Sequence, residues 1–191
     1  MNPDFITLPL IGRYPIYSDR DRQNAQRVNE LVRNVSGAFG RSDDYGHITA
    51  SAFILNETHD AVLLTHHAKL DLWLQLGGHC DGIYDPSFVA LKEAYEESGL
   101  KRISLMTKDI FDIDIHTVPQ MKGQKSHFHF DIRFLFECKR DHNFRVSSES
   151  KALRWVTLTQ LSTYNSDHSI MVLLEKLALI SADQSVQNNE G

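Results

Sequence analysis

The stretch from Gly77 to Leu100, GGHCDGIYDPSFVALKEAYEESGL, restricts the fold and chemistry more than any other part of the chain. Two glycines and a Cys80-Asp81-Gly82 turn lead into Asp85-Pro86. Asp85 suits a helix cap there, and Pro86 suits the first helical position, where the amide it lacks would have no intrahelical partner. Gly99 ends the helix, because glycine takes the left-handed conformation without steric cost. Within the helix, Glu93, Glu96 and Glu97 are three and four residues apart, so they share a surface and reach a common point. Phe88, Leu91, Ala94 and Tyr95 fall on the other side and predict a face to bury. Three neighbouring carboxylates repel one another, and a divalent cation that prefers oxygen ligands, magnesium or manganese, relieves that repulsion. The competing reading is a solvated acidic face on an ordinary amphipathic helix.

The same segment resembles the signature of the Nudix hydrolases: a glycine, five residues, a glutamate, seven residues, then Arg-Glu-aliphatic-any-Glu-Glu-any-Gly-aliphatic. Gly78, Glu93, Ala94, Glu96, Glu97, Gly99 and Leu100 fit it in register. Two positions depart: Tyr84 stands at the first glutamate and Lys92 at the arginine, so a buttressing carboxylate is absent and a forked guanidinium is replaced by a point charge. The resemblance implies an α/β fold, a Nudix-like α/β/α sandwich around a central mixed sheet. It also implies Mg2+ or Mn2+ held by the Gly78 carbonyl and by Glu93, Glu96 and Glu97, with a metal-activated water attacking phosphorus and Glu93 or Glu97 as proton acceptor.

A chain of 191 residues is long enough for one domain with a real core. Its 41% hydrophobic and 24% charged content is that of a soluble globular protein. A formal net charge of -5 argues against general nucleic-acid binding, which needs a basic surface. Cys80 and Cys138 are far apart and outside zinc-like spacing, which argues against a disulfide framework. The N-terminal residues MNPDFITLPL lack a basic start, and the longest apolar run, 170–174, is far short of a membrane span. A cytoplasmic location is the expectation.

Residues 1–46 are expected to form an extension: an irregular lead to Tyr17, then a helix to about Phe39 capped by Ser18 or Asp19. Ala25, Val28, Leu31, Val32, Val35 and Phe39 recur at helical spacing, while Arg20, Arg22, Arg27 and Arg33 are expected to face water. Residues 47–180 make up the Nudix-like domain. In it, 47–55 and 61–65 predict a hairpin, and 70–76 a strand that delivers the chain to Gly77. Lys69 precedes that strand and is a candidate to meet a substrate phosphate, against the reading of a plain surface lysine. A helix from about Asp167 to Ile180 has little polar face, which suits deep packing or an oligomer interface. Residues 181–191 are polar and expected to fray.

Between the signature and that helix, 110–116 and 127–136 alternate cleanly and are expected to pair antiparallel across a loop with Pro119 and Gly123. Phe128, Phe130, Ile132, Phe134 and Phe136 share one face. His127, His129, Asp131 and Arg133 share the other, with Asp112, Asp114 and His116 beside them. Thr, Lys and Glu are the ordinary choice for a strand facing water, so this face predicts a substrate cleft with phosphate-binding Arg133 and imidazoles able to act as acid-base groups or metal ligands. The alternative is a polar face held by His-Asp hydrogen bonds. Glu149 sits on a loop where the resembled family often places an auxiliary glutamate.

Three functions are consistent with these features. The first is a divalent-metal-dependent hydrolase of a phosphoric anhydride, in which a nucleoside diphosphate is linked to another moiety. The second is a catalytically weak Nudix-like metabolite-binding or sensor module, and the third an isoprenoid diphosphate isomerase. The implied partner is a small phosphorylated molecule, without membrane or general nucleic-acid binding, and the N-terminal extension and apolar C-terminal helix lean towards a homodimer.

Overall fold

The computed structural model describes residues 7–41, 45–120, 125–141 and 143–189, with side chains to residue 182. Two helices come first, α1 (Thr7–Gly12) and α2 (Asp19–Asn34). Ser18 caps α2 by accepting a hydrogen bond from the Asp21 amide. A helix to Phe39 was expected, yet α2 ends at Asn34, because Val35 is extended and Gly37 turns the chain at φ 86°. Ala38 and Phe39 are buried all the same, since the chain doubles back: the Ala38 carbonyl accepts from the Ile48 amide and the Phe39 carbonyl from the Gly82 amide.

The sheet contains β1 (Gly46–Asn56), β2 (Ala61–His67), β3 (Trp73–Leu74) and β4 (Leu76–His79). After α3 (Pro86–Ser98) come β5 (Ile103–Leu105), β6 (Asp112–Val118), β7 (His127–Cys138) and β8 (Ser150–Thr157). A short 3₁₀ turn and α4 (Leu161–Tyr164) lead to α5 (His168–Asn189), which runs on past the expected end at Ile180. Residues 190–191 of the expected tail and Gly123 of the β6–β7 connection lie outside the described residues.

The sheet is mixed: β1 and β7 pair in parallel from Gly46 against Phe128 to Asn56 against Cys138, and the other pairings are antiparallel. The β1–β2 hairpin and the β6–β7 pair form as expected, with Ile113 opposite Ile132 and Asp114 opposite Asp131. The strand expected over 70–76 is interrupted. Asp71 adopts φ 56° in a tight turn whose amide donates to the His67 carbonyl, which leaves Leu70 and Leu72 exposed before β3.

Period-two alternation gives the sheet two buried faces. Ile48, Ala50, Ala52 and Ile54 of β1, with Phe130, Ile132, Phe134 and Phe136 of β7, pack against Val28, Leu31 and Val32 of α2 and Val89, Ala90 and Ala94 of α3. Each large side chain buried there contributes about 1.5–3 kcal/mol. On the other face Phe53, Leu55 and Leu135 pack against Ile170, Val172 and Leu173 of α5. The result is an α/β/α sandwich around a mixed sheet, with the N-terminal helices as an addition. No described helix is long and apolar enough to cross a membrane.

α3 buries only part of the expected face: Ala94 is buried and Leu91 packs on the core, whereas Phe88 is 54% exposed and Tyr95 only partly covered. The small residues Ala90 and Ala94 let the helix lie close on β1 and β4. Glu97, seven residues after Ala90 and three after Ala94, shares their side of the helix, is carried down with them and is only 8% exposed.

A buried ionic cluster ties α2 and α5 to the sheet. Arg133 donates to Asp131, Asp112 and the Ser169 carbonyl and hydroxyl, and lies within 3.2 Å of Asp114. Arg20 of α2 bridges Asp112 and Asp114 at 2.8 and 2.9 Å, so this arginine does not face water as expected. Lys176 of α5 reaches Asp21 at 2.6 Å and Asp112 at 2.8 Å. Burial pulls the Asp112 carboxyl upward, but Arg133, Arg20 and Lys176 outweigh it and hold it below the usual carboxylate range. Removing one member leaves buried charge uncompensated, which costs about 3–5 kcal/mol, whereas an exposed pair such as Arg13–Asp109 is worth under about 1 kcal/mol. Urea denaturation is therefore expected to show Asp112→Asn destabilised by several kcal/mol and Arg13→Ala almost unchanged; equal small effects would show that the cluster does not hold the layers together.

Candidate active site

Local sequence chemistry builds the site as the spacing predicts. The Asp85 carboxylate caps α3 by accepting from the Ser87 and Phe88 amides, Pro86 opens the helix, and Gly99 closes it at φ 68°. Asp81 and Gly82 both adopt positive φ, 47° and 86°, and bend the chain between β4 and α3.

That bend sets Gly78 against the helix. A β-carbon built on Gly78 would lie 2.8 Å from the Glu93 carboxyl carbon, so the absence of a side chain is what lets this carboxylate approach the strand. The Gly77 amide makes a long contact of 3.4 Å to Glu97 Oε1. Lys92 donates to both Glu93 and Glu96 at 2.9 Å. Among the described residues no ion pair reaches Glu97. Its pKa is pushed up to about 7, first by burial and then by Glu93, Glu149 and Glu96. Four acids are thus grouped with too little positive charge around the deepest of them. All the near donors are oxygens, the donor set that magnesium and manganese prefer, and the residues present fit such a cation.

The other residues singled out from sequence are placed unequally. Glu149 is near enough to raise Glu97, and its carbonyl accepts from the Ala68 amide, which brings the loop bearing Lys69 alongside. Lys69 itself is exposed on that turn. His127 is 2% exposed and His129 partly buried, below the surface rather than on it. Arg133, expected to bind phosphate, is interior, and each of its three guanidinium nitrogens has a partner. Its positive charge is consumed by the aspartates that flank it, so it belongs to the framework.

Sequence reasoning missed Arg41, His47 and His79. Arg41 forms a two-pronged pair with Asp81 at 2.6 and 2.8 Å, and its charge is also felt by Glu93 and Glu149. His47 faces His79, His127 and His129 at ring separations of 5.0, 5.0 and 4.8 Å. Both histidines had a signal in the sequence: His47, Thr49 and Ser51 are a period-two polar row, and His79 adjoins Gly78. The strand partner that gives the row meaning is more than eighty residues away, as the His47–His129 pairing shows.

Comparison with known proteins agrees with this geometry. The NUDIX domain family model matches residues 46–174. None of the curated proteins compared with the chain is a match. Among solved structures, a C. elegans Ap4A hydrolase in a binary complex has a TM-score of 0.56 at 18% identity, over 71% of this chain and 98% of that one. A NUDIX family hydrolase from Clostridium perfringens is 27% identical with a TM-score of 0.52, over 70% and 97% of the two chains. The Nudix hydrolase RenU from M. smegmatis has a TM-score of 0.54 at 20% identity, over 75% and 88%. The match runs from the first residue of β1 through the glutamate helix into α5, and the chain belongs to the Nudix family.

Proposed function

We propose that the protein is a divalent-metal-dependent hydrolase of a phosphoric anhydride, acting on a small molecule in which a nucleoside diphosphate is linked to another group. The observation that carries this reading is the meeting of Glu93, Glu97 and Gly78, with the most buried of the acids lifted to a pKa of about 7. Glu93, Glu96, Glu97 and the Gly78 carbonyl would hold Mg2+ or Mn2+. When bound, the cation supplies charge to the diphosphate and acidity to a water.

The chain's own residues supply the rest. Glu97, the deepest of the acids, is the candidate to take a proton from water, with Glu93 beside it as the alternative acceptor. Lys92 links Glu93 to Glu96 as a point charge at the position where the family pattern has a forked arginine. Glu149 adds negative charge near Glu97, and Lys69, on the adjoining turn, offers a cation to a phosphate oxygen. Two buried free cysteines are consistent with a reducing compartment, and we place the protein in the cytoplasm.

With magnesium or manganese, a panel of nucleoside diphosphate derivatives is expected to include a member that is cleaved, with the rate lowered at least a hundredfold by Glu97→Gln. Thermal stabilisation by a panel member that is never consumed would instead support the binding-module reading.

The raised Glu97 pKa also has a sign. The folded state holds this proton more tightly than the unfolded chain, so its contribution to stability is complete below the ordinary carboxylate range and is lost as pH rises through about 7. The loss is at most about 3.5 kcal/mol, for a rise from 4.5 to about 7 at roughly 1.4 kcal/mol per unit. Metal-free Glu97→Gln is therefore expected to melt above the wild type at pH 8 and close to it at pH 5; a difference independent of pH would remove the buried carboxylate as its cause.

A further inference from the structure

The polar face of the sheet carries a second constellation, separate from the acidic one in chemistry. Parallel pairing of β1 with β7 sets His47 opposite His129, and antiparallel pairing of β7 with β6 sets His129 opposite His116. β4 lies along the other side of β1 and brings in His79, whose ring is 5.0 Å from that of His47 and 5.2 Å from that of His129. His127, two residues before His129, stacks on His47 at 5.0 Å and lies 5.2 Å from His129. Five of the ten histidines of the chain are thus gathered at one point.

One ring nitrogen from each of His47, His127 and His129 lies within 4.8 Å of the other two. Ligands of a tetrahedral ion bound at about 2.0–2.1 Å stand about 3.4 Å apart, so closing the set requires side-chain movement of about an ångström. His127 is oriented for this. Its Nδ1 is 2.9 Å from the Lys125 carbonyl, which can only accept, so Nδ1 carries the hydrogen and Nε2 presents its lone pair. That Nε2 is buried and makes no hydrogen bond among the described residues, in a side chain only 2% exposed. A backbone carbonyl on one ring nitrogen and a cation on the other is the usual arrangement of a metal-bound histidine. His116 is held in a similar way, with Nδ1 3.0 Å from Asp114 Oδ2.

We propose that His47, His127 and His129 form a binding site for a divalent transition-metal cation of the zinc class, distinct from the carboxylate site of α3. Imidazole nitrogens suit zinc, cobalt, nickel and copper and are poor ligands for magnesium, so the two sites select different ions. Three protein nitrogens leave a fourth position open, with His79 beside the cluster. Because His79 directly follows Gly78, an ion here would steady the end of the strand whose Gly78 packs against the Glu93 carboxylate. The site does not depend on the hydrolase reading.

Tag-free protein, stripped of metal and titrated with Zn2+ by calorimetry, is expected to bind one ion per chain through the histidines. Replacing both His127 and His129 with Gln is expected to weaken that binding at least a hundredfold, with Glu93→Gln leaving it unchanged. Co2+ added to the wild type is expected to give the intense visible bands of a four-coordinate nitrogen site, a readout that needs no variant to fold. Absence of those bands, or zinc uptake that survives in a folded His127→Gln/His129→Gln protein and is lost in Glu93→Gln, overturns the proposal.

Discussion

The parallel pairing of β1 with β7 is the constraint on which the other arrangements depend. It runs unbroken along the whole of β1, from Gly46 to Asn56. Because side chains alternate, one register decides two faces together. In the observed register Ala50, Ala52 and Ile54 join Ile132, Phe134 and Phe136 beneath α3, while His47, Thr49 and Ser51 join His129, Asp131 and Arg133 on the other side. A slip by one residue would turn the β7 histidines and charges towards Val89 and Ala94 and the phenylalanines into the polar face. The closeness of Gly46 to Phe128 helps to hold the register, since a β-carbon on Gly46 would lie 2.4 Å from the Phe128 carbonyl oxygen. Thr49 and Ser51 also donate to Asp131, which locks the polar face side chain to side chain.

On that polar face the buried charges are arranged so that each has an opposite. Asp131, Asp112 and Asp114 surround Arg133, and Arg20 and Lys176 bring matching charge from α2 and α5. Tyr14 joins the same group, its hydroxyl donating to Asp21 and its ring lying under the Lys176 ammonium. Such a cluster is specific rather than strongly stabilising, because desolvation cancels most of the Coulomb gain while a mismatched partner is costly. It accordingly dictates where α2 and α5 dock, and the two apolar cores supply most of the free energy.

The alternation in 127–136 was legible in the sequence because period-two patterning is local, and so was the α3 frame, because caps and glycines act within a few residues. The acidic trio and its glycine could be placed together on the same grounds. What stayed hidden was long-range. Nothing near Arg133 says that Arg20 and Lys176 will bring carboxylate company to it, and an arginine on an alternating strand looks the same whether it binds phosphate or aspartate. The orientation of α3 was likewise undetermined: Phe88 and Tyr95 are the larger apolar residues, yet close approach to β1 and β4 favours the narrow Ala90–Ala94 side. The histidine cluster needed three strand pairings to become visible.

One of the two departures from the family signature, Tyr84, has its physical counterpart in the N-terminal extension. Where the pattern has a glutamate, the Tyr84 ring packs edge-on against Phe39 at 5.0 Å, and the Tyr84 carbonyl accepts from the Thr7 hydroxyl. The Gly82 amide donates to the Phe39 carbonyl, and Arg41 grips Asp81 on the outer side of the same bend. The turn between β4 and α3 is therefore braced by residues 7–41 through one ring contact, two backbone acceptors and one exposed ion pair. A carboxylate at residue 84 would meet the apolar Phe39 ring and lose part of its solvation to it. The tyrosine and the extension are thus a matched pair, and the segment ahead of β1 belongs to the machinery that positions Gly78 and Glu93.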